Sequence, residues 1–286
     1  MNNKITVLFP SNYFNKQEPD DDFRSEYDAV INSGLFNIIL YSDYEWDSER
    51  KLVLECRSDI SPICVYRGWM MKPGVYSEFY SGLDDKGLRL LTSPEQYSRF
   101  HIFPEIYPSF GNDTAKMLIY PDGKIDLDEV RKTFTRFMVK DYVKSVKGTE
   151  FPKYFENTVS DEEFEEQMKI FQKYRSGLYT GGICIKEYYD LRKYGERTNE
   201  YRVFYINGEI GTVSRNSLQG DYTPEPPGDM IRKYTDLGSP LYTIDYAELS
   251  DGTWKILEAG DGQVSGLSPG QDNNAFFRAL YYGLSK

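Results

Sequence analysis

The chain has 286 residues with 34 Lys and Arg against 45 Asp and Glu, a formal net charge of -11. That is length enough for one large domain or two small ones, and the charge argues against a general nucleic-acid surface or an anionic membrane as partner. His101 is the single histidine, which leaves almost no material for histidine pairs, zinc triads or nucleophile–histidine relays and turns attention to acids, lysines and arginines. Cys56, Cys64 and Cys184 have no metal-ligand spacing, and two of them lie in apolar strand-like runs, which points to a reducing, cytoplasmic setting. No apolar stretch approaches the roughly 20 residues that span a bilayer, and the N-terminus runs straight into a strand. The 25 Tyr and 17 Phe are spread along the whole chain and read mostly as packing.

In chain order, Ile5 to Phe9 is a short apolar strand, and Phe23, Tyr27, Val30 and Ile31 keep helical spacing. Phe36 to Tyr41 and Ile63 to Tyr66 are further strands, Val75 to Leu83 is a helix ended near Gly87, and Leu88 to Thr92 is a fourth strand. Such β-α-β alternation predicts an open, mostly parallel sheet. From Pro94 to Gly111 any periodic pattern is interrupted by Pro104, Pro108 and Gly111, so a boundary is expected there, dividing an α/β domain (1–110) from a sheet-rich α+β domain (111–286). Phe137 to Val143 reads as a strand, and Ser160-Asp-Glu-Glu163 as a capping box opening a helix with Phe164, Met168 and Phe171 on one face, ended at Gly177. Strands follow at Gly182 to Tyr189, at Tyr201 to Ile206 and, beyond an Asn207-Gly208 turn, at Ile210 to Val213. Leu241 to Ala247 and Thr253 to Leu257 form a last hairpin around Ser250-Asp251-Gly252.

That last hairpin carries acids. Asp245 sits among apolar residues and Glu258 ends the second strand, so antiparallel pairing can set two carboxylates side by side, where burial demands a cation or a proton. Read from these residues alone, a solvent-facing Asp245 on an edge strand with a loop Glu258 is an equal alternative. Lys140 falls within an apolar strand, where an ammonium needs an anion, and Lys144 lies in the turn after it, where a loop can wrap a phosphate. Lys147 in the same turn reads as a solvated lysine. Glu200 and Arg202 are two apart and share one strand face, an arrangement that suits a polyphosphate, a substrate carboxylate or a plain cross-strand ion pair.

Taken in order, these pieces resemble the ATP-grasp superfamily: Lys140 and Lys144 before a small loop, Glu187-Tyr188 ending a strand, Glu200-Tyr-Arg-Val-Phe with its Asn-Gly hairpin, and the Asp245 and Glu258 pair. Val65-Tyr-Arg-Gly-Trp-Met-Met-Lys-Pro73, Leu91-Thr-Ser-Pro-Glu-Gln-Tyr97, Val139-Lys-Asp-Tyr-Val-Lys144 and Leu257-Glu-Ala-Gly-Asp-Gly-Gln-Val-Ser-Gly-Leu267 are similar to the clade of that superfamily named for two arginines and one lysine. The resemblance implies a pre-ATP-grasp α/β domain followed by a two-subdomain ATP-grasp fold with antiparallel sheets, closing on ATP and Mg2+. It places Lys140 and Lys144 at the phosphates, Glu187 and Tyr188 at the adenine, Glu200 in the ATP site, and Asp245 and Glu258 at magnesium. Arg202 and Arg67 are implied as the catalytic arginines, Arg67 reaching in from the first domain. Many members carry Asn two residues after the second metal acid, where this chain has Gly260; Asp261 is the candidate replacement, and two-metal occupancy is in doubt.

The activity implied is ATP-dependent ligation of a carboxylate to an amine through an acylphosphate, on an amino acid, a peptide or a protein terminus. Two alternatives stand beside it: an ATP-binding assembly factor for a protein complex with little turnover, and an adenylating enzyme acting on an RNA end, which the acidic charge disfavours. Fold resemblance alone does not fix a reaction.

Overall fold

The computed structural model describes residues 5–56 and 61–286; Met1–Lys4, which entered the reading of the N-terminus, and the side chain of Cys56 lie outside that description. Val7 and Phe9 face one side of the first strand and Leu8 the other, and all three are buried, as expected for a strand covered on both faces. This strand, β1 (Thr6–Pro10), is central in a sheet with β2 (Asn37–Tyr41), β3 (Leu54–Cys56), β4 (Ile63–Tyr66) and β5 (Arg89–Leu90), in the order β3-β2-β1-β4-β5. All pairings are parallel except β3, which closes one edge antiparallel. Helix α1 (Arg24–Ser33) packs on one face, while α2 (Asp43–Glu49), α3 (Pro73–Asp84) and α4 (Pro94–His101) supply Trp46, Phe79 and Tyr97 to the core on the other. The loops after β1, β2 and β4 leave from one edge, the carboxyl edge where such sheets hold ligands.

The stretch expected to be irregular is instead helical. Ser93 and Gln96 form a capping box ahead of α4 with Pro94 in its first turn, and Pro104 opens α5 (Phe103–Ile106) before a 3-10 stretch over Tyr107–Asp113. Proline in a first turn lacks only an N–H that the helix does not use there, so it starts a helix as readily as it ends one. Next come β6 (Met117–Tyr120), α6 (Leu127–Thr133), β7 (Arg136–Asp141), β8 (Phe155–Glu156), α7 (Asp161–Arg175) and β9 (Ile183–Glu187). Their strands form an antiparallel sheet, β6-β9-β7-β8, whose Phe137 and Ile185 share a core with Val130, Phe164 and Phe171 of the two helices. Ser160 accepts the Glu163 amide at 3.1 Å and starts α7.

After a small hairpin of β10 (Lys193–Tyr194) and β11 (Arg197–Thr198), a third sheet is built from β12 (Glu200–Ile206), β13 (Glu209–Arg215), β14 (Leu241–Glu248) and β15 (Trp254–Asp261), with α8 (Gly228–Arg232) between β13 and β14. Its order is β13-β12-β14-β15, all antiparallel. Asn207 and Gly208 turn β12 into β13 with φ of 48° and 80°, the left-handed pair a two-residue hairpin demands. The segment 215–227 folds back on this sheet, the Asn199 amide donating to the Pro224 carbonyl at 3.0 Å.

Helix α9 (Asn273–Leu284), absent from the sequence reading, ends the chain. Its Phe276, Phe277 and Leu280 are fully buried in one core with Val7, Phe9, Tyr27, Phe204 and Leu241. Burying an apolar side chain of that size contributes about 1.5–3 kcal/mol, so this helix fastens the first sheet to the third across the expected boundary at residue 110. Among the described residues no helix is long and apolar enough to cross a membrane.

Candidate active site

The register of the third sheet builds the site. Pairing of β12 with β14 sets Arg202 opposite Asp245, and pairing of β14 with β15 sets Asp245 opposite Glu258. One row across three strands therefore reads cation, acid, acid, and β14 is an interior strand, not an edge. Arg202 donates from Nε and Nη2 to the two oxygens of Asp245 at 2.8 and 2.7 Å, a bidentate fork, and from Nη1 to the Gly266 carbonyl at 2.7 Å. Burial alone lowers the Arg202 pKa, but the Asp245 carboxylate more than reverses this.

The second sheet turns two lysines toward this row. Lys140 on β7 is 2% exposed and donates to Glu258 Oε1 at 2.9 Å, while Lys186 on β9, also buried, donates to the Leu257 carbonyl. Lys186 pairs with Met138, two residues before Lys140, so both lysines emerge on one face. Their ammonium groups sit 4.8 and 4.6 Å from the centroid of the Phe103 ring, which offers its negative face to both. Burial, reinforced by the Lys140 charge, pushes Lys186 down to about 7. Burial pushes Glu258 up, but Lys140 and Lys186 outweigh it and hold the acid at about 2. Half of the Glu258 side chain is nevertheless open to the cleft, so it is a charge on the wall of a cavity that a ligand can reach.

The row faces an inner chamber of about 190 Å³, which shares Met70, Lys144 and Ser265 with an outer cavity of about 690 Å³ between α1, the loop after β4 and the segment after β15. Lys144 is held by its own amide on Asp141 Oδ1 at 2.7 Å, and burial lowers its pKa against the pull of Glu258. Thr243 Oγ1 and Ser265 Oγ, 2.8 Å apart, fill the space beside Gly260, where a Cβ would come within 3.0 Å of the serine oxygen. His101 borders the same chamber, stacked on Tyr97 at 5.1 Å, and burial drops it to about 4, so it is neutral.

The other expected residues are distributed as follows. Glu187 ends β9 and Tyr188 follows it, where the chain crosses to the third sheet; the Glu187 amide donates to the Lys116 carbonyl at 2.9 Å, and the Tyr188 ring stacks on Tyr154 at 4.4 Å beneath Arg136. Glu200 begins β12 on the Arg202 face and accepts from Thr198 Oγ1. Arg67 lines the outer cavity but is 1% exposed: its Nε and Nη2 donate to Glu26 at 2.7 and 2.8 Å, and its Nη1 donates to the Gly262 carbonyl at 2.6 Å. Its donor groups are engaged in tying α1 to the end of β15 rather than turned into the inner chamber. Asp261 lines the same inner chamber as Asp245 and Glu258 but lies on the other face of β15. It is an odd step from Glu258 along the strand, 1% exposed, with Oδ1 accepting from the Gln263 amide at 2.9 Å and Oδ2 meeting no hydrogen-bond partner among the described residues; burial raises it to about 7.

Lys186, Phe103 and the Thr243–Ser265 pair are absent from the sequence reading. Lys186 carries the same signal as Lys140, a lysine inside the apolar run Ile183-Cys-Ile-Lys186.

Comparisons with known proteins identify the family. The model of an ATP-grasp domain, family 3 of the clade named for two arginines and one lysine, matches residues 127–280, more than half of the chain. The chain belongs to that family. No curated protein is significantly similar to it. Solved structures share the ATP-grasp fold over their full length: ATP-grasp ligase PsnB complexed with minimal precursor (TM-score 0.61, 10% identity, 98% of this chain and 99% of that one), D-alanyl-alanine synthetase A from Vibrio cholerae (0.60, 11%, 100% of each) and D-cycloserine synthetase DcsG (0.58, 12%, 98% and 99%). In ATP-grasp terms, the second and third sheets are the two subdomains and the Arg202–Asp245–Glu258 row lies between them.

Proposed function

We propose that this ATP-grasp protein is an ATP-dependent carboxylate–amine ligase that works through an acylphosphate and releases ADP and phosphate. The observation that carries the reading is the facing of Asp245 and Glu258 by cations from two subdomains, Arg202 on one side and Lys140 and Lys186 on the other. Each acid is neutralised by a cation of the kind that binds phosphate, and phosphoryl transfer needs positioning and charge neutralisation more than a base.

Asp245 and Glu258 suit magnesium, since it prefers hard carboxylate oxygens and commonly takes its other ligands from phosphates and water; among the described residues no third His, Cys, Asp or Glu completes a cage. When bound, the metal would neutralise charge on the β- and γ-phosphates. Lys140 and Lys186 would then exchange their present partners for phosphate oxygens, Lys144 would reach the phosphates from its loop, and Arg202 would turn to the transferred phosphoryl group. Glu187 and Tyr188, at the crossing between subdomains, and Glu200 would line the nucleoside side. Arg67 would act by position, holding the segment after β15 that walls both cavities. An oxygen of the substrate carboxylate attacks the γ-phosphorus and the bond to the ADP oxygen breaks. The amine nitrogen then attacks the acyl carbon, loses a proton, and phosphate departs.

The outer cavity, open to the inner chamber past Lys144, would take the substrates, an amino acid, a peptide or a protein terminus. PsnB, a structural neighbour, has been solved with a precursor peptide. The test is nucleotide release from Mg-ATP across amino acids and short peptides offered singly and in pairs. ADP stimulated by a particular pair is expected; AMP would replace ligation by adenylation, and stable ATP binding without turnover would favour an assembly factor.

A further inference from the structure

The carboxyl edge of the first sheet carries rings that the ligation chemistry does not use. The loop after β1 is pinched at its base, where the Asn12 amide donates to the Glu18 carbonyl at 2.8 Å, and is pinned to α2 by the Lys16–Glu45 pair. At its tip Phe14 is 92% exposed and Tyr13 is also exposed, and Tyr13 packs edge-on against Phe14 and against the exposed Tyr44 of α2, with centroids 4.9 and 5.0 Å apart. The loop after β4 adds exposed Trp69 and Met70, which line the outer cavity. A hydrogen-bonded chain joins the two groups: Tyr41 OH donates to Asp43 at 3.0 Å and meets Tyr66 OH at 2.9 Å, and Tyr66 OH donates to the Trp69 carbonyl at 2.8 Å. Clustered large apolar side chains left in water, two of them lining a cavity, mark an interaction surface.

The charge around them selects the partner. Residues 11–47 contain nine acidic residues against two basic ones, Lys16 and Arg24, and both bases are already paired, with Glu45 and Glu18. Asp21 and Asp22 are exposed at the foot of the same loop, and Asp22 lines the outer cavity. A second copy of the chain would bring acid against acid, and like charge across an interface opposes association. Nucleic acid and anionic lipid are disfavoured for the same reason.

We propose that this edge docks a peptide segment with interspersed basic and apolar side chains, and that the reacting end of the same peptide enters the outer cavity. Only the second half of that statement rests on the ligase reading; the first concerns binding alone. Rings at 13, 14 and 44 supply area at low entropic cost, as aromatic anchors do in interfaces, and the acids supply attraction and orientation.

The test is fluorescence anisotropy of a labelled short peptide alternating lysine with phenylalanine and leucine, beside its glutamate-for-lysine analogue. The full chain should bind the lysine peptide, more weakly as salt rises, and not the analogue. A Tyr13→Ser, Phe14→Ser, Tyr44→Ser variant should lose about tenfold or more in affinity, and Asp21→Asn with Asp22→Asn should lose less and flatten the salt dependence. Glu162→Gln with Glu165→Gln on the exposed face of α7 should leave affinity unchanged; equal loss there would make the binding non-specific and overturn the proposal. So would wild-type affinity in the triple variant, or a dimer of the full chain that the triple variant dissolves without any peptide binding. Mg-ATP turnover is measured on each variant, so loss of peptide binding with turnover intact separates this surface from the ligase reading.

Discussion

Two arginine–carboxylate forks in this molecule share one geometry and differ in what surrounds them. Arg67 meets Glu26 at 2.7 and 2.8 Å on the wall of the outer cavity, with side chains only 1% and 9% exposed, while Arg202 meets Asp245 at 2.7 and 2.8 Å on the wall of the inner chamber, with side chains 21% and 13% exposed. Removing one member of the more deeply buried pair strands a buried charge. The more open pair can exchange partners at lower cost when a charged ligand arrives. The ATP-grasp resemblance implies a catalytic role for both arginines, because motifs carry residue types and not burial; depth of burial is what separates the two.

The largest expected effect breaks the more deeply buried fork. Arg67→Ala should destabilise the fold by about 3–5 kcal/mol, read as a shifted urea midpoint, whereas Arg202→Ala should leave the midpoint nearly in place and remove turnover. Equal destabilisation by both would erase the distinction. Next, Glu258→Gln should keep the fold and cut Mg-dependent nucleotide turnover by roughly a hundredfold; unchanged turnover would remove Glu258 from the metal site.

The Lys186 ammonium sharpens the contrast through pH. Its pKa is lowered from 10.5 to about 7 in the folded chain, so between those values the unfolded state binds more protons and stability rises with pH through that window. Phosphate would restore the charged form, so ATP binding above pH 7 should take up a proton, seen as a buffer-dependent enthalpy in calorimetric titration. Lys186→Met should abolish both the uptake and the slope of stability; an uptake that persists would assign it to another group. The smallest effect belongs to Lys147, exposed in the turn after β7: Lys147→Ala should change ATP affinity by about twofold at most, as for other solvated surface charges.

Much of this site is legible in the sequence because local rules govern it. The Ser-Asp-Gly turn makes the hairpin itself readable, but Asp245 and Glu258 face each other because a one-residue bulge between Asp245 and Tyr246 shifts the register; Lys140 stands out as a charge inside an apolar strand. Lys186 offers that same signal, overshadowed by the acid and tyrosine beside it. What is hidden depends on distant chain. The burial of Arg67 requires Gly262 and Gln263, nearly two hundred residues away, to return over it, and α9 finds its partners in β1 and α1. Its Asp272 cap, accepting from the Asn274 and Ala275 amides, is a readable start signal. Proline between 94 and 108 misleads because its effect depends on whether it falls in the first turn or the interior of a helix.

The central claim is that Asp245 and Glu258 give up their cations to a metal while those cations take phosphate. Calorimetric titration of ATP with and without magnesium, on wild type and on Asp245→Asn with Glu258→Gln, tests it directly. Magnesium should tighten ATP binding about tenfold or more in wild type and have little effect in the double variant. An equal gain from magnesium in both proteins would contradict the account.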